Sequence, residues 1–295
     1  MISLTHNPLT AKNDLLFKKV FGSPRYSHIL IGFLRDILQL DIEEVTIENP
    51  YDISVFRKQL ETNKVFHTEV DLVARLQDQT IVTIELQINP QLYYCERAFY
   101  YLSQKYISNY GRHDIIRLPE HQHGAKYSSL HPVYSLSILD YTLFPQDIEI
   151  LRHFTMYETE LKQFLLTQDN RRLVTMSFFE LQKQSDSKVR KHVQYWMDYF
   201  NKGSVDKAAP NYLQEATTVI NDHNLEEGEK NMIDALEKAR EDYKGNMQYS
   251  RIEGIEIGIE ENRLYTAKQL LTEKVDWAII TRVTGFTEEQ LLNLS

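Results

Sequence analysis

The chain of 295 residues contains a single cysteine, Cys95, so no disulfide can form within it. One unpaired thiol is typical of a protein that works in a reducing compartment. The longest apolar runs, such as 28–34, are far shorter than the ~20 residues that span a bilayer. The first residues show no charged segment followed by an apolar one. We therefore expect a cytoplasmic location and no membrane partner.

Positive charge is also scarce, because 33 Lys and Arg stand against 42 Asp and Glu, which gives a net charge of −9. This balance argues against broad nonspecific adhesion to nucleic acid, which needs a basic surface to neutralise phosphates. Most of the deficit lies after residue 140, so a local basic patch in the first half is compatible with DNA binding. The composition, 42% hydrophobic and 25% charged, is that of a globular protein and not of a disordered one.

Two segments rich in β-branched residues, 69–76 and 80–88, predict a β-hairpin with a polar turn at 77–79. Because side chains alternate along a strand, the apolar residues of each segment share one face. The acidic and amide side chains on the opposite face are Glu69, Asp71, Glu85 and Gln87. The pattern is most typical of an ordinary hairpin with a half-solvated acidic face, and it also fits a metal site built from facing acids.

The order and spacing of these residues resemble a known nuclease signature. Asp71, followed after thirteen residues by Glu85-Leu86-Gln87, resembles the D…(D/E)-x-K motif of the PD-(D/E)XK nuclease superfamily, with Gln in place of Lys. Three segments in order are similar to the Rpn family of recombination-promoting nucleases, also described as transposases: FKKVFG at 17–22, VDLVARLQDQTIVTIELQ at 70–87 and CERAFYYLSQKY at 95–106. In that family the E-x-Q form is usual.

The resemblance implies an α/β fold: a restriction-endonuclease-like mixed β-sheet flanked by helices, followed by a mainly helical C-terminal region. We expect the nuclease core at 1–157 and the helical region, ending in a helical hairpin, at 158–295. Helical periodicity predicts helices at 10–21, 26–38, 90–110, 158–166, 171–183, 187–201, 212–221, 225–244 and 264–273. Alternation predicts further strands at 42–48, 133–139 and 148–157.

Hydrolysis of a phosphodiester bond needs an activated water and relief of charge on the phosphate, and a divalent ion held by carboxylates supplies both. Asp71 and Glu85, with the main-chain carbonyl of Leu86, are the expected ligands of Mg²⁺, with Mn²⁺ as an alternative ion. The amide of Gln87 is expected to orient the attacking water, so Asp71, Glu85 and Gln87 form the expected catalytic set.

Further residues of the expected site lie on two predicted helices. The resemblance implies that Asp14 adds a carboxylate and that Lys18, Arg97 and Tyr101 contact the phosphate backbone. Glu69, on the hairpin face that carries Asp71, is a weaker candidate. Asp14 and Lys18, four residues apart, also fit an ordinary surface ion pair. Arg97 and Tyr101 also fit the solvated face of a long helix, whose opposite stripe of Leu92, Cys95, Phe99, Leu102, Tyr106 and Tyr110 is expected to be buried.

The C-terminal region carries no catalytic pattern. Gly254 and Gly258 lie four apart in a helical context, where glycine is costly, and they suggest close packing between helices, including those of two chains. The last residues resemble a small helix-turn-helix with a capping box at Thr287 and Gln290, and we expect it to serve a homodimer.

These observations predict a metal-dependent DNA endonuclease associated with recombination or mobile elements. The alternative is a catalytically weak DNA-binding or protein-interaction module of the same fold, which the net negative charge also permits.

Overall fold

The computed structural model describes residues 9–62, 71–111, 125–184 and 188–294. The chain divides into two compact units, Met1–Ile233 and Asp234–Ser295. None of the helices described in these ranges is long and apolar enough to cross a membrane.

The strands, numbered in chain order, are β1 (Val45–Ile47), β2 (Leu72–Leu76), β3 (Ile81–Gln87), β4 (Val133–Leu139), β5 (Leu151–Thr155), β6 (Tyr157–Glu158), β7 (Gln163–Phe164) and β8 (Val174–Glu180). The α-helices are α1 (Asp14–Phe21), α2 (Ser27–Leu38), α3 (Ile53–Glu61), α4 (Tyr94–Ser108), α5 (Lys191–Lys202), α6 (Asn211–Val219), α7 (Glu227–Thr272), α8 (Trp277–Thr284) and α9 (Glu288–Leu292).

Six strands form one mixed sheet in the order β1-β2-β3-β4-β8-β5. The strands β1, β2 and β3 are antiparallel, β3, β4 and β8 are parallel, and β5 is antiparallel to β8. Every residue of β3 and β4 is buried, as expected for parallel central strands that are covered on both faces. This mixed sheet flanked by helices confirms the predicted fold class.

The hairpin of β2 and β3 forms as predicted, with Leu72 opposite Ile84 and Arg75 opposite Ile81. Its turn is tight because Gln79 adopts a left-handed conformation, with φ of 64°, and because the Asp78 side chain accepts from the main-chain N–H of Thr80. On the face that carries the acids, Glu85 is only 5% and Gln87 only 4% exposed, and Asp71 is half-buried. The part of this face on β3 is therefore not a solvated acidic surface.

Helices α1, α2, α5 and α6 pack around an aromatic cluster. The ring of Phe21 on α1 contacts those of Phe33 on α2 and Trp196 on α5, at centroid distances of 4.9 and 5.9 Å. The carboxylate of Asp36 on α2 accepts from Trp196 Nε1 at 2.8 Å and from the hydroxyl of Tyr212 at 2.7 Å. The Asp36 carboxylate thus joins α2 to α5 and α6, and the contact of Phe21 with Phe33 holds α1 beside α2.

The predicted buried stripe of α4 is wrong in most of its members. Leu92 is 87% exposed, Phe99 and Tyr110 are also exposed, and the buried side chains are Tyr94, Ala98 and Leu102. The helix begins at Tyr94, four residues later than predicted, and its inward face carries a tyrosine whose hydroxyl has buried polar partners. Hydrophobicity alone does not identify which face of α4 points inward, because tyrosine suits either a buried or an exposed face.

The helices predicted at 158–166 and 171–183 are wrong. The first range contains β7, and the second contains β8, which lies between β4 and β5 in the sheet. The segment Val174–Glu180 is rich in β-branched and aromatic residues, which favour a strand over a helix. The sheet therefore continues past residue 157, where the nuclease core was expected to end. Helix α3 was not predicted.

The second unit is helical. Helix α7 is continuous over 46 residues, so the predicted segments 225–244 and 264–273 are parts of one helix. The capping box of Thr287 and Gln290 is confirmed at the start of α9. The end of α7 packs with α8 and α9 around a small apolar cluster of Ala267, Ile280, Phe286 and Leu291.

Candidate active site

Asp71 lies immediately before β2, beside the end of β3. Its carboxylate oxygen Oδ2 accepts from the main-chain N–H of Leu86 at 2.7 Å. In an antiparallel ladder the N–H and C=O of one residue point toward the same neighbour. The carbonyl of Leu86 therefore lies on the Asp71 side of β3, as a shared ligand set requires.

Asn49 holds the main chain at Asp71. Its side-chain Nδ2 donates to the carbonyl of Asp71 at 3.2 Å, and its Oδ1 accepts from the N–H of Val73 at 2.7 Å. The amide of Asn49 thus fixes the main chain on both sides of Leu72, where β2 begins. Asn49 was not among the predicted site residues, and the only signal of its role is its place just after β1.

Glu85 is buried on β3 and is held by two neighbours. Its Oε2 lies 3.3 Å from the hydroxyl of Tyr94 and 3.5 Å from Nε2 of Gln87. The same tyrosine hydroxyl lies 2.9 Å from Oγ of Ser137 on β4. The orientation of Glu85 is therefore fixed by side chains from its own strand and from α4. Tyr94 and Ser137 were not predicted. The sequence signal of Tyr94 is the inward i, i+4, i+8 series that it starts on α4 with Ala98 and Leu102.

Burial raises the pKa of Asp71 to about 7. The negative charges of Asp14 and, more weakly, Glu85 also raise it, while the N–H of Leu86 and the positive charge of Lys18 act in the opposite direction. Burial also raises the pKa of Glu85, against the positive charge of Arg97 and the hydrogen bonds from Tyr94 and Gln87. Both carboxyl groups are thus held where ionisation is costly without a further positive charge.

The predicted residues in the described part of the chain come together as follows. Asp14 and Lys18 on α1 lie within electrostatic range of Asp71, and Arg97 on α4 within range of Glu85. Tyr101 joins through Arg97, whose guanidinium lies 5.5 Å from the tyrosine ring centroid. Glu69 lies outside the described residues.

The donor set can be compared with the requirements of a divalent ion. Within the described residues no cluster of three or more His, Cys, Asp or Glu side chains has the spacing of a metal site. Two carboxylates and the Leu86 carbonyl are nevertheless hard oxygen donors, and Mg²⁺ commonly takes one or two carboxylates with waters and substrate oxygens as its other ligands. The raised pKa values of Asp71 and Glu85 fit a site whose charge a dication would balance.

Replacing Asp71 by Asn should stabilise the metal-free protein at pH 8. Since the pKa of Asp71 is raised to about 7, the folded state binds more protons than the unfolded state between about pH 4 and 7. The free energy of unfolding therefore falls as pH rises through this window. We expect Asp71→Asn to add roughly 1–3 kcal/mol at pH 8 in EDTA, and nothing near pH 4, in urea denaturation. An equal effect at both pH values would contradict the raised pKa.

Comparison with known proteins gives one match. The family model described as PD-(D/E)XK nuclease family transposase matches residues 11–250, which include both strands of the hairpin and α4. The searches of curated proteins and of solved structures found no match. The family match covers most of the chain and confirms the resemblance inferred from the three sequence segments. The chain belongs to the PD-(D/E)XK nuclease family transposases.

Proposed function

We propose that this protein is a metal-dependent DNA endonuclease that hydrolyses phosphodiester bonds and is associated with DNA recombination or mobile elements. Membership of the family supports a nuclease-like function. The observation that carries the finer proposal is the hydrogen bond from Leu86 to Asp71, which joins one carboxylate to the strand that bears the other. We propose the cytoplasm as its compartment, since the single Cys95 suits a reducing environment.

Mg²⁺, or Mn²⁺ in its place, would be held by Asp71, Glu85 and the carbonyl of Leu86, with Asp14 near enough to Asp71 to add a carboxylate. A divalent ion supplies two effects when bound: it lowers the pKa of a water molecule and it polarises the phosphoryl oxygens.

Groups of the protein orient the two carboxylates and the attacking water. The N–H of Leu86 orients Asp71, and Tyr94 with Gln87 orients Glu85, so the two carboxylates are positioned before any substrate arrives. Gln87 donates one amide proton to Glu85 and keeps a second for orienting the attacking water.

Positive charge at the site comes from the two flanking helices. Lys18 on α1 and Arg97 on α4 act on the two carboxylates electrostatically, and the ring of Tyr101 lies against Arg97. We propose that these three side chains contact the phosphates of DNA, the partner implied by the family. A cation beside the carboxylates would offset their repulsion of the DNA backbone.

Nicking of supercoiled plasmid tests the proposal. Purified protein should nick in Mg²⁺ or Mn²⁺ and not in EDTA. Asp71→Asn and Glu85→Gln should each reduce the rate by about 100-fold or more, since losing even an outer-sphere partner costs roughly 10–100-fold. The exposed Glu96 on α4 gives a matched control, and Glu96→Gln should cut at the wild-type rate.

Cutting that persists in EDTA, or equal cutting by the variants and wild type, would refute the metal-dependent site. The absence of cutting in any metal would leave the catalytically weak DNA-binding or protein-interaction module as the function.

We also propose that two copies of the chain pair through α7. Ile252, Ile255 and Ile259 follow the 3-and-4 spacing of a coiled-coil seam, and each is more than half exposed. An added Cβ at Gly254 or Gly258 would meet no atom within 4 Å, so these glycines serve no close packing with the part of the chain that the structure describes. A seam of this spacing is complementary to a second copy of itself, which makes another chain the fitting occupant.

Sedimentation of the full chain measures this pairing. The wild type should sediment as a dimer at micromolar concentrations, and Ile255→Glu should give monomers with unchanged helix content, because a charge in the seam would be buried. Glu256→Gln, one residue further along the helix and outside the seam, should remain dimeric. A wild type that is monomeric at all concentrations would refute the pairing.

A further inference from the structure

A chain of hydrogen bonds runs from α4 into the site. The guanidinium of Arg97 donates through Nη1 to Oε1 of Gln91. Nε2 of Gln91 donates to Oε1 of Gln87 at 3.2 Å, and Nε2 of Gln87 lies 3.5 Å from Oε2 of Glu85. Two amides therefore connect a cation on one element with a buried carboxylate on another.

The guanidinium of Arg97 and the carboxylate of Glu85, at the two ends, determine which group donates in each of these hydrogen bonds. A guanidinium only donates, so Gln91 must turn its oxygen to Arg97 and its NH₂ to Gln87. Gln87 must then accept from Gln91 and donate to Glu85, because a carboxylate only accepts. All donors point toward Glu85, and hydrogen bonds aligned in this way polarise one another.

We infer that Gln91 and Arg97 are positioning residues that hold the amide of Gln87. Through Gln91 and Gln87, Arg97 supplies the positive charge that a lysine at position 87 would otherwise provide. In the D…(D/E)-x-K signature a lysine occupies this position, whereas here the side chain is a neutral amide. The inference rests on the proposed nuclease function for its consequence, but the hydrogen-bond chain itself does not depend on activity.

The arrangement fixes the amide of Gln87 in one orientation. Gln87 is almost fully buried, and an amide that lost Gln91 would be held only by its 3.5 Å contact with Glu85, which permits more rotation about its last torsion. Arg97, at the outer end, thus helps to hold the amide that is proposed to orient the attacking water.

The first test uses no catalytic readout. In protein labelled with ¹⁵N-glutamine, the side-chain amide signal of Gln87 is identified by its loss in Gln87→Glu. Exchange of its amide protons with water should be at least about tenfold faster in Arg97→Gln and in Gln91→Ala than in wild type, because the hydrogen bonds that hold the amide from its outer side are weakened or lost. Two controls on α4, Lys105→Gln and Gln104→Ala, should leave it unchanged. Unchanged exchange in both test variants would overturn the inference.

The second test moves the positive charge from position 97 to position 87. Arg97→Gln should lower kcat for plasmid nicking about tenfold with little change in KM, as expected for an outer positioning group. Adding Gln87→Lys to Arg97→Gln should restore kcat to within about threefold of wild type, because the cation then stands beside Glu85 directly. Failure of this rescue, or a loss confined to KM that varies with salt, would leave Arg97 with its proposed phosphate contact alone and refute its positioning role.

The two tests separate the inference from the proposed function. A wild type that does not cut DNA refutes the nuclease proposal, whereas the exchange of the Gln87 amide still decides whether Arg97 and Gln91 hold it.

Discussion

The hydrogen bond between the Asp71 carboxylate and the N–H of Leu86 is the contact on which the candidate site depends. Asp71 precedes β2, and the last paired residues of the hairpin on this side are Leu72 and Ile84. Beyond that pair the bond to Leu86 takes the place of a ladder bond and keeps the two strands together. The Asp71 carboxylate therefore lies beside the part of β3 that carries Glu85 and Gln87.

Burying the ionised carboxylates of Asp71 and Glu85 costs electrostatic free energy. The helices next to the hairpin bring cations that offset part of this cost. Burial raises the pKa values of Asp71 and Glu85, and the negative charges of Asp14 and Glu85 raise that of Asp71 further. Helix α1 brings Lys18 toward one carboxylate and α4 brings Arg97 toward the other, but Asp14 adds a further negative charge. A site that retains uncompensated negative charge in a buried position is suited to a cation, and a cation bound there is suited to a phosphate.

The central hairpin could be predicted because its signal is local. Alternation over 69–76 and 80–88 determines which side chains share a face, and the polar turn sets the register. The parallel pairing of β3 with β4, and of β4 with β8, joins residues far apart in sequence, and periodicity carries no information about it. Helical periodicity therefore predicts a helix at 171–183, where β8 lies, although the Val, Thr and Phe residues of β8 favour a strand.

The same limit applies to the side chains of the site. Asp71, Glu85 and Gln87 belong to a spaced motif, whereas Asn49, Gln91 and Tyr94 act through contacts that only the folded chain brings about. The buried stripe that hydrophobicity predicts for α4 does not include Tyr94, whose hydroxyl has polar partners on β3 and β4 that only the folded chain brings near.

The central claim is that Asp71 and Glu85 hold a divalent ion together. Titration calorimetry of the full chain with Mn²⁺, in wild type and in Asp71→Asn, tests it most directly, because it requires neither DNA nor turnover. The account predicts one bound ion per chain in wild type and an affinity at least about tenfold weaker in the variant. Equal binding by both proteins, or no binding by wild type, would contradict it.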